Sequence, residues 1–141
     1  MIVLDTNVVS ELFRRHPDAG VVSWLESLDG DVAITAVTLA ELLAGVRRLP
    51  EGSRKSELEA ALTAAVEPYR GGHAVLPFDD SCAAVYADVL FERERAGLPI
   101  STADAQIAAI CRVHGAVCAT RNSNDFVMTG VELIDPWSIA G

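Results

Sequence analysis

Two rhythms of hydrophobic and polar positions alternate along the chain. Ile2-Val3-Leu4 is an uncharged run that stops at Asp5-Thr6-Asn7, the pattern of a strand buried on both faces. Val8 to Phe13 then has helical character, and Arg14-Arg15-His16-Pro17 closes it. Asp18 to Leu28 carries Val21, Val22, Leu25 and Leu28 at helical spacing, ahead of the turn Asp29-Gly30-Asp31. Val32-Ala33-Ile34 reads as a second strand. Thr35 to Arg48 reads as a helix with Leu39, Leu42, Leu43 and Val46 on one side, broken by Pro50-Glu51-Gly52-Ser53.

The second half repeats the alternation. Arg54 to Tyr69 forms a helix ended by Gly71-Gly72, and Ala74-Val75-Leu76 a third strand. Asp80 or Ser81 caps a helix reaching Arg95. Ser101 or Thr102 caps another reaching His114, with Gly115 as its terminator. Ala116 to Ala119 and Val131 to Ile134 supply a fourth and a fifth strand. Strands alternating with helices predict an α/β fold: a central, mostly parallel sheet of about five strands with helices on both faces.

Composition narrows the classes. The 141 residues fit one domain, spanning 1–141, and a 50% hydrophobic content argues against disorder. No apolar run reaches the length of a membrane span, and the amino terminus lacks a signal-peptide pattern, so a cytoplasmic protein with no membrane partner is expected. A net charge of -9 speaks against a protein that grips nucleic acid through a basic surface. It does not speak against a metal-dependent nuclease, because a bound cation reverses the local field. Cys82, Cys111 and Cys118 form no CxxC pair and no zinc-type spacing with His16, His73 or His114. They are expected to be small buried side chains, and the histidines receive no role.

The acids follow a pattern. Asp5 ends the first strand. Glu41 lies in the first turns of the helix after the second. Asp104 opens the helix near Ser101, and Asn122 and Asp125 follow the fourth strand. Each has an ordinary explanation. Asp5, Thr6 or Asn7 can cap a helix, Thr38-Leu39-Ala40-Glu41 and Ser101-Thr102-Ala103-Asp104 match capping boxes, and Asn122 to Asp125 suits a polar turn. Together they deliver carboxylates to strand ends and helix starts, where α/β sheets bind ligands. Carboxylates gathered in one crevice raise one another's pKa unless a cation joins them. An oxygen-only donor set suits Mg²⁺ or Mn²⁺ rather than zinc.

Read in order, four of these segments resemble the motifs of PIN-domain ribonucleases: Val3-Leu4-Asp5-Thr6-Asn7, Thr38-Leu39-Ala40-Glu41-Leu42-Leu43-Ala44-Gly45, Thr102-Ala103-Asp104-Ala105-Gln106-Ile107-Ala108-Ala109 and Ala119-Thr120-Arg121-Asn122-Ser123-Asn124-Asp125-Phe126. Asp135-Pro136-Trp137 is similar to the ending of a FitB-like subgroup. Order, spacing and length resemble VapC toxins of VapBC toxin–antitoxin modules. The resemblance implies a PIN-like three-layer fold and a Mg²⁺- or Mn²⁺-dependent endoribonuclease that uses a metal-activated water. Asp5, Glu41 and Asp104 match three family acids, and Asp125 is taken as the fourth, the four serving as catalytic residues and metal ligands. Asn122 stands where some relatives carry Asp. Thr6, Asn7, Thr120 and Asn122 are expected to orient carboxylates or water. The resemblance also implies a cognate VapB antitoxin that inhibits the chain and homodimers within a larger assembly. DNA contact is left to the partner. The apolar helix faces near Val21–Leu28 and Leu39–Leu49 are candidate interfaces, or simply core. Two rivals are a catalytically inactive PIN-fold binding module and a HAD-like metal-dependent phosphatase. The second would need an Asp where Asn7 stands and a Lys at the site, and Lys55 is the sole lysine.

Overall fold

Five short parallel strands run side by side in the order β3-β2-β1-β4-β5. They are β1 (Ile2–Leu4), β2 (Val32–Thr35), β3 (Val75–Leu76), β4 (Val117–Ala119) and β5 (Leu133–Ile134). The computed structural model describes residues 1–69 and 74–139. Between β1 and β2 lie α1 (Thr6–Glu11) and α2 (Ala19–Glu26). Between β2 and β3 lie α3 (Ala36–Arg47), α4 (Ser53–Val66) and a 3₁₀ turn (Glu67–Tyr69). Between β3 and β4 lie α5 (Asp80–Arg95) and α6 (Thr102–Val113), and α7 (Ser123–Phe126) precedes β5.

The alternation of side chains along each strand builds three layers. Val3, Ala33, Leu76 and Cys118 face one side and pack with residues of α5 and α6. Their neighbours Leu4, Ile34, Val75 and Ala119 face the other side and pack with α1, α3 and α4. This two-sided burial is why β1 contains no polar residue. Helix α6 buries Ala105, Ile107, Ala108, Ala109, Ile110 and Cys111 completely. Its three buried alanines allow a close approach to sheet and neighbour, and its strongest helix packing is with α5. All three cysteines are buried and free, as expected. Gly115 adopts φ 60°, the left-handed terminator of α6.

Most elements fall where the pattern places them, with shifts at their ends. Helix α1 starts at Thr6, not Val8, because Asp5 caps it, and it closes at Glu11. The cap of α5 is Asp79, whose carboxylate accepts from the Ser81 amide, rather than Asp80 or Ser81. The cap of α3 is Thr35, whose hydroxyl accepts from the Thr38 amide 3.0 Å away. The Thr38–Glu41 capping box therefore does not form, and Thr38 is buried inside the helix. Residues 123–126, read as a turn, make the short helix α7. The Gly71-Gly72 stop and His73 lie outside the described residues. The Val21–Leu28 face is core at Val21, which is fully buried, while Trp24 and Leu25 are partly buried against the core.

One charged side chain fastens the layers near the β4 exit. Arg93 is 3% exposed and meets only carbonyl oxygens: Leu98 at 2.8 Å, Pro99 at 3.0 Å, Asn124 at 3.3 Å and Val127 at 2.8 Å. It thereby ties α5 to its following loop and to α7. Truncation removes a buried guanidinium and leaves four part-buried carbonyls short of a donor, so Arg93→Ala is expected to cost about 2 kcal/mol. Lysine lacks the planar fork and should recover only part of this. Urea denaturation of the three proteins checks the order.

Candidate active site

The strand order sets the place. Chain progression runs outward from β1 through β2 to β3, then crosses to β4 on the other side of β1. The carboxyl ends of β1 and β4 thus flank the point where the sheet changes direction, the usual binding crevice of an open parallel sheet. Asp5 leaves β1 there and Thr120 leaves β4, paired through the register Leu4↔Ala119.

Asp5 is only 4% exposed, a costly place for a carboxylate without partners. Three donors compensate. The Thr6 amide donates to Oδ1 at 2.8 Å, and the Thr120 hydroxyl and Asn7 Nδ2 donate to Oδ2 at 2.8 and 3.1 Å. Asn7 Oδ1 accepts from the Arg121 amide at 3.1 Å, and Thr120 Oγ1 accepts from the Asn122 amide at 3.0 Å. Asp5, Asn7 and Thr120 therefore staple the two central strands together at their carboxyl ends. Asp5 is both the cap of α1 and a carboxylate at the crevice.

The crevice has a volume of about 490 Å³. Asp5, Thr6, Asn7, Glu41, Asp104 and Asn122 line it together. Glu41, freed from capping, accepts from the Thr6 hydroxyl at 2.7 Å, and Thr6 Oγ1 also lies 3.1 Å from Thr38 Oγ1. Asp104 sits at the start of α6, where Ser101 Oγ accepts from its amide at 3.1 Å. Thr120 is buried beneath. Asp125 does not line the crevice, though its charge reaches Asp104. Sequence reasoning assigned no site role to five further lining residues: Ser10, Glu11, Arg14, Arg121 and Trp137. Glu11 is 3% exposed and accepts from the Asp18 amide at 2.8 Å and from Arg14 at 3.2 Å. Its signal was present, as the only charge within Val8–Phe13.

The acids feel burial and one another. Burial is the main force raising the Asp5 pKa. Hydrogen bonds from Thr120 and the Thr6 amide oppose it, and the Glu41 charge adds to it. Asp104 is pushed up to about 6, by burial first and then by the Asp5 charge, with Asp125 and Glu41 adding to the rise against its bond with Ser101. An all-oxygen donor set whose charges resist coexistence fits a hard divalent cation. Among the described residues no three acidic, His or Cys side chains converge closely enough to enclose one ion. Mg²⁺ does not require that, since it usually takes one or two carboxylates and keeps several waters. Lys55 is bonded to Glu51 and to the Arg47 carbonyl and does not line the crevice, which leaves the phosphatase rival without its lysine.

Fold and crevice together define a PIN domain, and the family model described as PIN domain matches residues 2–130. The chain belongs to the PIN-domain family, in its VapC and FitB branch. It is 38% identical to VapC ribonuclease Y4jK of Sinorhizobium fredii, over 99% of this chain and 100% of that protein. It is 41% identical to Toxin FitB of Neisseria gonorrhoeae, over 97% and 99%. Its fold superposes with TM-score 0.92 and 38% identity on a structure of FitAB bound to an IR36 DNA fragment, over 100% of this chain and 99% of the matched one.

The raised Asp104 pKa has a sign that can be tested. The carboxyl titrates near 3.8 unperturbed and near 6 in the fold. The folded state therefore binds this proton more tightly. In metal-free protein, the group opposes folding above pH 6, and that opposition fades as the pH falls toward 3.8. Asp104→Asn should raise stability at pH 7.5, by on the order of 1 kcal/mol after allowance for solvent screening. Its advantage over wild type should shrink by pH 5. Urea unfolding in EDTA at both pH values measures it, and an advantage independent of pH would contradict the assignment.

Proposed function

We propose that the chain is the toxin of a type II toxin–antitoxin module and acts as a Mg²⁺- or Mn²⁺-dependent endoribonuclease. The observation that carries this reading is the crevice at the β1/β4 switch point, where Asp5, Glu41 and Asp104 face one another with Asp5 and Asp104 held above their ordinary pKa. The names of its relatives, VapC ribonuclease and Toxin FitB, support it. Asp5 and Asp104 would hold the ion, with Glu41 and Asp125 completing the site directly or through water. Bound there, the ion would lower the pKa of a water and offset charge on the phosphoryl oxygens.

The chain's own groups do the rest. Thr120, Asn7 and the Thr6 amide fix the Asp5 carboxylate so that it cannot turn away from the crevice. The Thr6 hydroxyl holds Glu41 at one oxygen and leaves the other free to accept a proton from the attacking water. The products are a 5′-phosphate and a 3′-hydroxyl. We take residues 1–141 to act as one PIN domain in the cytoplasm.

A cognate VapB antitoxin is the proposed inhibitor. An apolar groove of about 300 Å³, lined by Phe13, Leu42, Val46, Leu49 and Leu58, meets the crevice at Thr6, Ser10, Arg14 and Glu41. An apolar antitoxin segment fits the groove, and a basic residue on it would be drawn to the acids. The net charge of -9 supports leaving DNA contact to the antitoxin. Homodimers would form the core of the larger assembly.

RNA 5′-end sequencing after induction, beside an Asp5→Asn control, tests the reading. Discrete cuts should vanish in the control, and equal cuts in both would sink it. With purified chain, Asp5→Asn and Glu41→Gln should each lower the cleavage rate by on the order of 10²-fold or more. EDTA should abolish cleavage and Mn²⁺ restore it. If Asp125 is the fourth acid, Asp125→Asn should cost more activity than Asn122→Ala, and the reverse order would move the role to Asn122.

A further inference from the structure

An acidic crevice that cuts RNA must admit several phosphates, not one. Among the described residues, only two basic side chains line it: Arg14 and Arg121. Arg14 is engaged, its Nη1 lying 3.2 Å from the buried Glu11 carboxylate. Arg121 differs. Among the described residues no carboxylate pairs with its guanidinium. It lies instead over the ring of Trp137, 4.9 Å from the centroid.

We propose that Arg121, parked on Trp137, is the substrate-binding residue that holds the RNA phosphate next to the scissile one; this rests on the endoribonuclease reading above. Contact with the ring face satisfies the positive charge without using its N–H donors. It also restrains the guanidinium from collapsing onto Asp5 or Asp104, which a free arginine beside carboxylates would do. The platform is anchored at both ends. The Arg121 amide donates to Asn7 Oδ1, and the same Asn7 donates to Asp5. The Trp137 amide donates to Asp135 Oδ1 at 2.9 Å. The cation is thus indexed to the first carboxylate through one side chain. A planar fork in that position suits a phosphodiester, whose two free oxygens it can meet together.

Binding and turnover test this separately. Full-length chain carrying Asp5→Asn is titrated against a fluorescent single-stranded RNA oligonucleotide by anisotropy, across a NaCl series. Adding Arg121→Ala should weaken binding about tenfold and flatten the slope of log affinity against log salt by about 0.7. Arg121→Lys should keep the slope while recovering part of the affinity. Trp137→Ala should weaken binding less and leave the slope largely in place. In the active chain, Arg121→Ala should raise KM with kcat little changed. Thermal melts check that each variant folds, and Arg121→Lys carries the comparison if Arg121→Ala does not. Unchanged affinity and salt slope in Arg121→Ala, beside an active wild type, overturns the proposal. A wild type that binds RNA without cutting it, with Mn²⁺ present, overturns the endoribonuclease reading instead. No RNA binding by any form overturns both.

Discussion

Burial of one carboxylate at the end of the central strand constrains everything around it. Asp5 can be 4% exposed only because a helix amide, a hydroxyl and a side-chain amide donate to it. Those donors dictate the neighbours. The amide requires α1 to start at once, so the chain turns directly from strand to helix. The hydroxyl must come from the end of β4, which requires β4 to lie beside β1. The side-chain amide of Asn7 also holds the Arg121 backbone. Cap, strand pairing and crevice are therefore consequences of a single buried charge, and the capping and ligand explanations of Asp5 describe the same geometry.

The electrostatics divide the crevice into floor and rim. On the floor, burial first and neighbouring carboxylates second raise the pKa of Asp5 and Asp104, a strain the fold tolerates because the surrounding core is large and two-sided. Such strain is typical of sites whose function needs charges that stability alone would not gather. On the rim, the two guanidiniums are kept apart from the floor by different means, Arg14 by a buried carboxylate and Arg121 by an aromatic face. The overall charge of -9 conceals this division. It is the local arrangement, not the sum, that sets the field a ligand entering the crevice would meet.

Much of this was legible in the sequence, and the parts that were not share a cause. The run Ile2–Leu4 announces a two-sided strand because no polar residue survives on either face. The acids Asp5, Glu41 and Asp104 were legible as a set because each follows a strand or opens a helix. Local pattern misjudged hydrogen-bond partners. Thr38 looks like a cap at helical spacing to Glu41, yet Thr35 takes that role and Thr38 turns inward beside Thr6. Residues 123–126 look like a turn, yet Arg93, thirty residues earlier, braces them from beneath. Glu11, Arg14, Arg121 and Trp137 meet only in three dimensions, and no window of sequence contains them together.

The same geometry places Asn122 and Asp125 differently. Asn122 lines the crevice because its amide is tied to Thr120, which is tied to Asp5. A carboxylate at that point would add a further negative charge within reach of both Asp5 and Asp104, whose pKa values are already raised. Asp125 sits in α7, with its amide donating to the Asn122 carbonyl at 2.9 Å, and acts on Asp104 without entering the lining. On the endoribonuclease reading proposed above, a fourth charge placed in α7 rather than in the lining would keep its pull on a cation while reducing its repulsion of an incoming phosphate. On the same reading, an uncharged Asn122 beside Arg121 would make the β4 side of the crevice its least repulsive entrance for RNA.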